Sequence, residues 1–219
     1  MKVAVVLAGC GVYDGAEIHE SVLTILALTR AGAQITFLAP ETDQLHVIDH
    51  LTGQPQAGQK RRVRTESARI ARGAVENIAQ ARAAEFDAVV FPGGFGVAKN
   101  LCTFAADGPA CRVQPDVEQF ILAAFSARVP IGFICIAPVL AARVLGRRVS
   151  GLQLTIGTDP ATARAIEQMG ASHVNCPVSD CVIDPVHKIV STPAYMLANQ
   201  ITEAAAGIDR LVAALIGLI

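Results

Sequence analysis

The chain has 219 residues, of which 52% are hydrophobic and 17% are charged. This length is enough to bury one sizeable core and too short for two ordinary domains with linkers, so we expect a single domain over residues 1–219. The formal net charge of −1 gives no general electrostatic reason to bind nucleic acid or an anionic membrane. We therefore expect a small molecule or a protein as partner.

The first predicted elements are a strand over residues 2–8, a helix over 18–30 and a strand over 34–39. The first strand is a continuous apolar run, which is typical of a strand buried on both faces. Its last residues, Leu7-Ala8-Gly9-Cys10, resemble a lipoprotein cleavage box, but the apolar stretch before them is too short for a signal peptide. The short connections predict parallel neighbours joined by a right-handed crossover.

Residues 41–84 are less regular, and we interpret them as an insertion packed on the core domain. A short strand is predicted over 45–51 and a helix over 65–81. A buried strand follows over 86–91 and ends abruptly at Pro92-Gly93-Gly94. The insertion therefore separates the first two strands from the third long apolar run.

The second half continues the alternation. Helices are predicted near 95–105, 114–127 and 160–169, strands over 130–134, 152–156 and 174–178, a hairpin over 182–191, and a closing helix over 194–216. Alternating strands and helices predict an α/β fold, a doubly wound and mostly parallel sheet with helices on both faces. Ligands of such sheets bind at the carboxyl ends of the strands.

Three loops can meet at that edge: GCGVYDGAEIHE, PGGFG and GFICIAP. Cys135 lies between a strand and a helix predicted to begin near Ile136. Unpaired N–H groups at a helix N-terminus stabilise a thiolate, so we expect Cys135 to have a lowered pKa and to be a nucleophile. The N–H groups of Gly94 and Ile136 are candidates for an oxyanion hole, and Gly93 is a candidate pocket residue.

An acid is expected beside this thiol. Glu17 and Glu20 both lie near the start of the first helix, and a carboxyl buried there would have a raised pKa and could shuttle a proton. The residues alone do not choose between the two glutamates. They also leave open that Cys135 is a packed core side chain and that PGG is an ordinary turn.

Three further features of the sequence could mark a site. Gly9-Cys10-Gly11 after a strand suggests a dinucleotide site, but the next glycine, Gly15, is one position late for that motif. Small-residue packing is the favoured interpretation of Cys10 itself. A metal site could be drawn from four later side chains, although no pair of them has the usual spacing; they are His173, Cys176, Cys181 and His187. We expect neither a metal nor another cofactor.

The strings GAEIHE, VVFPGGFGVAKNL and GFICIAP, in that order, resemble the class I glutamine amidotransferase-like superfamily, which contains the PfpI proteases and the DJ-type stress proteins. The longer strings GCGVYDGAEIHE, HLTG, GTD and STPAYMLA resemble its ElbB-like group of isoprenoid-biosynthesis and glyoxalase-like proteins. The resemblance covers nearly the whole chain. It implies a flavodoxin-like fold and a homodimer.

The resemblance also assigns roles. It implies that Cys135 is the nucleophile at the strand-to-helix elbow, that Glu20 rather than Glu17 contacts it, and that Gly94 and Ile136 supply the oxyanion-hole amides. It places Tyr195 near the pocket. Protease-like members have a His directly after the nucleophile, where this chain has Ile136. The late His-x-Glu segment of the amidotransferases is absent as well, so we expect neither proteolysis nor glutamine hydrolysis.

The remaining expectation is thiol chemistry on an aldehyde. We expect a glyoxalase-like lyase in which Cys135 adds to glyoxal or a similar 2-oxoaldehyde and Glu20 moves a proton, without metal or glutathione. The alternative is a regulatory or stress protein that senses oxidants through Cys135. The six cysteines show no disulfide spacing, which favours reduced thiols in the cytoplasm.

Overall fold

The computed structural model of the chain describes all residues, 1–219. Its centre is a seven-stranded sheet that is parallel except for one antiparallel edge strand. The strands that form it are β1 (Lys2–Val6), β2 (Gln34–Ala39), β5 (Glu76–Asn77), β6 (Ala88–Phe91), β7 (Ile131–Ile134), β10 (Val182–Asp184) and β11 (Ile189–Thr192). Two small two-stranded sheets lie outside it: β3 (Ile48–Asp49) with β4 (Gln54–Pro55), and β8 (Gln153–Leu154) with β9 (Ser172–His173).

The strand order is β10-β11-β7-β6-β1-β2-β5. The chain starts at β1, moves to one side through β2 and β5, and then returns to β6 on the other side of β1. The switch point therefore lies between β1 and β6, where ligands of doubly wound sheets bind. Fully buried apolar strands such as Ala88–Phe91 explain why this sheet is the core of the molecule. The mostly parallel α/β sheet predicted from the sequence is confirmed.

Helices cover the sheet in two groups. The seven helices are α1 (Ile18–Arg30), α2 (Val63–Ala71), α3 (Phe104–Asp107), α4 (Pro115–Ser126), α5 (Pro138–Leu145), α6 (Pro160–Gln168) and α7 (Ile201–Ile216). Helix α7 packs on α1 and on the strands β7 and β11, whereas α5 packs between α4 and α6. At the centre of the core, the rings of Phe91 and Phe133 stack with centroids 5.1 Å apart. None of the helices is both long enough and apolar enough to cross a membrane.

Several predicted boundaries were wrong. Residues 65–81 do not form one helix, because α2 ends at Ala71 and Arg72 takes a left-handed conformation that stops it. The strand predicted over 45–51 shortens to β3, and the one predicted over 174–178 is replaced by β9 at Ser172–His173. The closing helix begins at Ile201, after a separate 3₁₀ turn over Ala194–Met196.

Candidate active site

Cys135 lies one residue beyond β7, at the carboxyl edge of the sheet. Its φ of 63° is in the left-handed region, which non-glycine residues avoid. The backbone N–H of Cys135 donates to the carbonyl of Thr192 (2.9 Å), which ties the turn to the end of β11. The residue is 8% exposed, and its side chain lines a cavity. The turn therefore presents a nearly buried thiol to a space that a ligand can enter.

Glu20 lies directly behind this thiol and is completely buried. Its Oε2 accepts from the N–H of Gly93 (2.9 Å) and its Oε1 accepts from the N–H of Tyr195 (3.2 Å). Its carboxyl group also interacts with the Cys135 side chain. Three separate loops thus converge on one carboxyl group.

Glu17 has a different position. It is the N-cap of α1, and its Oε2 accepts from the backbone N–H of Glu20 (2.6 Å). It is 8% exposed and lines the cavity, whereas Glu20 does not. Of the two glutamates that the motif offered, Glu20 is therefore the one in contact with the sulfur, and Glu17 caps the helix beside it.

Positions 93 and 94 require glycine, because the neighbouring atoms leave no room for a Cβ at either position. A Cβ on Gly93 would lie 2.5 Å from the Cβ of Cys135, and one on Gly94 would lie 2.4 Å from the backbone nitrogen of Glu17. Gly94 also has a φ of 98°, which favours glycine. The N–H groups of Gly94 and Ile136 both interact with the Cys135 sulfur. When Sγ attacks a carbonyl carbon, the oxygen on that carbon becomes negative. The two N–H groups lie close enough to Sγ to donate to that oxygen, as an oxyanion hole does.

Burial dominates the electrostatics of the pair. It raises the pKa of Glu20 to about 8, and the negative charge of Glu17 adds to the increase. Burial also raises the pKa of Cys135 well above its usual value, and the negative charge of Glu20 raises it further. The N–H groups of Gly94 and Ile136 lower this pKa, but by less. The lowered thiol pKa predicted from the sequence is therefore wrong in direction. At neutral pH the site holds a thiol beside a mostly protonated carboxyl group.

The raised pKa of Glu20 predicts a pH-dependent stability. The unfolded side chain ionises near its ordinary value of 4.5, whereas the folded one keeps its proton up to about 8. The free energy of unfolding should therefore fall as the pH rises from 4.5 through 8, by about 5 kcal/mol for the full shift. Glu20→Gln should be about 1–3 kcal/mol less stable than wild type at pH 5, because its amide nitrogen cannot accept an N–H, but this gap should close and then reverse by pH 9, since only wild type loses about 4 kcal/mol over that range.

Denaturant unfolding of both proteins at several pH values measures that gap. Glu85→Gln is the matched control, since the Glu85 side chain is 62% exposed and its loss should leave the pH slope unchanged. A gap between wild type and Glu20→Gln that stays constant from pH 5 to pH 9 would contradict the raised pKa.

The cavity in front of Cys135 has a volume of about 510 Å³ and is mostly apolar. The residues that line it are Val12, Glu17, Gly94, Phe95, Ala98, Phe104, Ala105, Cys135, Ile136, Thr162, Tyr195 and Met196. Tyr195 lies in the wall, and its hydroxyl is 2.8 Å from Nδ1 of His19. Gly93 does not line the cavity; its role is to hold Glu20 through its N–H. The space in front of the thiol is large enough for a small organic molecule.

Curated relatives place the chain in a family. The Rattus norvegicus "ES1 protein homolog, mitochondrial" is 44% identical over 220 residues, which cover 96% of this chain and 81% of the rat protein. The Homo sapiens "Glutamine amidotransferase-like class 1 domain-containing protein 3, mitochondrial" is 46% identical over 220 residues with the same two coverages. The chain belongs to the ES1 family. No family model matches the sequence.

Solved structures extend the ES1 family to a wider superfamily. An Ehrlichia chaffeensis isoprenoid biosynthesis protein with an amidotransferase-like domain is 37% identical and superposes with a TM-score of 0.92 over 100% of this chain and 99% of that one. Candida albicans glyoxalase III shares the fold at 13% identity, with a TM-score of 0.65 over 98% of this chain and 97% of that one. The resemblance to the ElbB-like and DJ/PfpI groups that the motifs suggested is confirmed at this level.

Other candidate sites do not come together in this member of the ES1 family. No three His, Cys, Asp or Glu side chains are close enough to share a metal ion, and His187 Nδ1 instead pairs with Asp184 Oδ2 (2.7 Å). Cys10 is half-buried outside the cavity wall. The Gly9 to Gly11 loop has no open phosphate cradle, since a Cβ on Gly11 would meet the ring of His50 at 2.7 Å.

Sequence reasoning missed most of the apolar wall. Phe95, Phe104 and Met196 carry no chemical signature, and only the fold brings their segments to the mouth of the cavity. A π-helical turn over Val97–Leu101 contains the wall residue Ala98, and nothing in the hydrophobic pattern indicated this turn. One residue near the wall does lie in a motif that the sequence offered: His19, within the GAEIHE string, pairs with the wall residue Tyr195.

Proposed function

We propose that this chain is a cysteine-dependent glyoxalase-like enzyme that converts glyoxal or a related 2-oxoaldehyde to a hydroxy acid. The observation that carries the proposal is the contact between Cys135 and a buried Glu20 whose pKa is raised to about 8, at the wall of a mostly apolar cavity. A group with this pKa exchanges protons readily near neutral pH. The cavity is large enough for a small aldehyde.

The first step is addition. The Glu20 carboxylate accepts the proton of Cys135 as Sγ bonds to one aldehyde carbon of glyoxal. The carbonyl oxygen becomes negative beside the N–H groups of Gly94 and Ile136, and then takes the proton back from Glu20 to give a hemithioacetal. No atom is lost, and Glu20 is a carboxylate again.

The second step moves a proton between carbons. Glu20 removes the hydrogen from the carbon bonded to sulfur, giving an enediolate, and returns that proton to the neighbouring carbon, while the hydroxyl proton on the first carbon moves to the oxygen of the second. The product is a thioester of glycolic acid on Cys135. Water then attacks the thioester carbonyl, the C–S bond breaks, sulfur regains its proton, and glycolate leaves. Water is the only co-reactant that these steps need.

The surroundings support this chemistry over amide hydrolysis. Hydrolysis of an amide requires an acid that protonates a leaving nitrogen, usually a histidine next to the thiol. Ile136 follows Cys135 here, and the nearby His19 is exposed with its Nδ1 engaged by the Tyr195 hydroxyl. A glyoxal carbon requires no protonated leaving amine, so the site is suited to it.

A regulatory thiol is the alternative function. Peroxide reacts with thiolates, and burial raises the pKa of Cys135, which lowers the thiolate fraction at neutral pH. Attack on an aldehyde is slowed in the same way, so what favours turnover over sensing is the mostly apolar cavity of about 510 Å³ in front of the thiol, which can hold an organic substrate. We also propose a homodimer, supported by an exposed apolar stripe on α1 formed by Ile18, Val22 and Leu26, each 42% to 49% exposed. A cytoplasmic location stays a prediction.

The pH dependence of glycolate formation tests the enzyme proposal. Because Glu20 must be a carboxylate to accept each proton, kcat should rise with pH and level off above about 8, where its pKa lies. Glu17→Gln is the informative variant, since it removes a charge that raises the pKa of Glu20. Its profile should keep the same shape with a lower midpoint, while Glu20→Gln should lose the rise altogether.

The assay uses glyoxal with a chelator present and no glutathione, and counts glycolate released per protein chain. Many equivalents per chain with the predicted profiles support the enzyme. If each chain consumed one equivalent of peroxide and released no glycolate, the enzyme proposal would be wrong and the regulatory thiol would be supported. Wild-type and Glu20→Gln profiles of identical shape would remove Glu20 from the mechanism.

A further inference from the structure

A second concave surface lies away from the active site and is lined mostly by arginines. It has a volume of about 460 Å³, and its seven lining residues are Arg112, Val113, Glu118, Arg143, Val144, Arg147 and Arg148. None of these lines the cavity in front of Cys135. We refer to it as the arginine groove. Four guanidinium groups and one carboxylate give it a local charge near +3, in a chain whose formal net charge is −1.

The fold concentrates these charges from separate segments. Arg143 lies on α5, and Arg147 and Arg148 follow its C-cap Gly146, whereas Arg112 comes from the connection between α3 and α4. Cations near the end of α5 interact favourably with its dipole, which accounts for the group around Arg147. That interaction does not account for Arg112, which belongs to another element and adds a like charge to the same groove.

Three of the four guanidinium groups are tied to backbone carbonyls, and only one of the four is paired with a carboxylate. Arg143 Nε donates to the carbonyl of Cys111 (2.5 Å), Arg148 Nε donates to that of Val144 (2.9 Å), and Arg147 Nη2 donates to that of Gln168 (3.2 Å). Each of these groups keeps further N–H donors, since a guanidinium has five. The one ion pair in the groove joins Arg148 to Glu118 at 3.5 Å.

Arg112 is the least occupied of the four. Its guanidinium makes no hydrogen bond or ion pair with any other residue, although its backbone N–H donates to Thr103 Oγ1 (3.0 Å). Like charges held together in this way repel one another unless an anion lies between them. The groove therefore has free donors and an excess of positive charge, and three of its four guanidinium groups are tied to backbone carbonyls.

We propose that the arginine groove binds an oligophosphate group, of the kind found in pyrophosphate and in organic diphosphates. Arginine forks match phosphate oxygens in pairs, and several forks around one concave surface suit a ligand of several negative charges. Only two of the seven lining residues are hydrophobic and none is aromatic. The groove thus recognises the charged group itself and has no surface on which a nucleobase could stack.

Inorganic pyrophosphate is the probe. Calorimetric titration of the full chain at fixed ionic strength should show one site per chain, and saturating pyrophosphate should raise the Tm. Arg112→Gln/Arg147→Gln should weaken binding about tenfold or more, because charge-assisted hydrogen bonds to two guanidinium groups are lost. Glu118→Gln should bind more tightly than wild type, since it removes the only carboxylate in the groove.

The matched control is Arg30→Gln/Arg82→Gln, which removes the same charge outside the groove and should leave the affinity unchanged. The proposal would be overturned if sodium sulfate or sodium chloride at equal ionic strength gave the same titration as pyrophosphate. It would also be overturned if both double variants weakened binding equally, since general charge screening would then explain the result. The titration contains no aldehyde and should be unchanged in Cys135→Ser. Its result is therefore independent of the proposed enzyme activity.

Discussion

Cys135→Ser should reduce glycolate formation from glyoxal about a thousandfold or more. The Sγ atom forms the bond to the aldehyde carbon and later leaves from the thioester. A serine hydroxyl is much less acidic than a thiol, and Glu20, with a pKa raised to about 8, is too weak a base to activate it. An oxygen ester would also release its alcohol less readily than a thioester releases a thiol. The measurement is kcat for glycolate release at pH 8.5.

Cys181→Ser is the matched control for this variant. Cys181 is a free, half-buried cysteine that does not line the cavity, so its replacement should leave kcat within about twofold of wild type. Both variants should keep the circular dichroism of the wild type, because Cys135 and serine are similar in size. Full turnover by clean Cys135→Ser protein would show that the reaction does not pass through this thiol.

Gly93→Ala should damage the site and the fold together. The added Cβ would lie 2.5 Å from the Cβ of Cys135, 2.6 Å from Oε2 of Glu20 and 2.9 Å from the carbonyl oxygen of Ile134. None of these atoms can move easily, because each belongs to the elbow, to strand β7 or to a completely buried side chain. We expect a loss of about 3 kcal/mol in the free energy of unfolding.

In the Gly93→Ala protein that remains folded, the backbone at residues 93–94 must shift to make room for the added Cβ. This shift should lower turnover about a hundredfold. The 93–94 backbone carries the N–H that holds Glu20 and the N–H that faces the sulfur, and a shift of about 1 Å in such groups is costly to catalysis. Unfolding curves and kcat should be measured on the same preparations. Turnover and stability close to wild type would mean that the loop is looser than its contacts indicate.

Gly217→Ala provides the comparison for Gly93→Ala. Its φ is −65°, and a Cβ there would meet no atom closer than 3.4 Å, which is ordinary contact. It should change the free energy of unfolding by less than about 0.5 kcal/mol. A large loss in this variant as well would point to a general intolerance of alanine and would remove the special meaning of Gly93.

The sequence predicted the parts of the site that are local in the chain. Long apolar runs that end in glycine, proline or cysteine located three strand ends, and the parallel sheet then required those ends to share one edge. The choice of Glu20 over Glu17 came from motif resemblance, because both residues fit the start of α1. Only the fold shows that one caps the helix while the other lies behind the sulfur.

The properties that depend on distant packing were not predictable in this way. The pKa of Cys135 was predicted to fall because of a helix N-terminus, and the structure raises it because neighbouring segments remove water from the thiol. Short strands such as β8 and β9 depend on pairing with each other more than on their own residues. The arginine groove also escaped notice, since Arg112 is more than thirty positions from Arg147 in the chain.

The backbone at Cys135 has a consequence for what keeps a cysteine there. A residue with a Cβ at a φ of 63° lowers stability by about 1–2 kcal/mol relative to glycine. Selection for a robust fold alone would therefore replace this cysteine with glycine, or with asparagine, over time. Position 135 is a place where durability and reactivity favour different residues. Its occupant is better explained by the chemistry of sulfur than by the demands of folding.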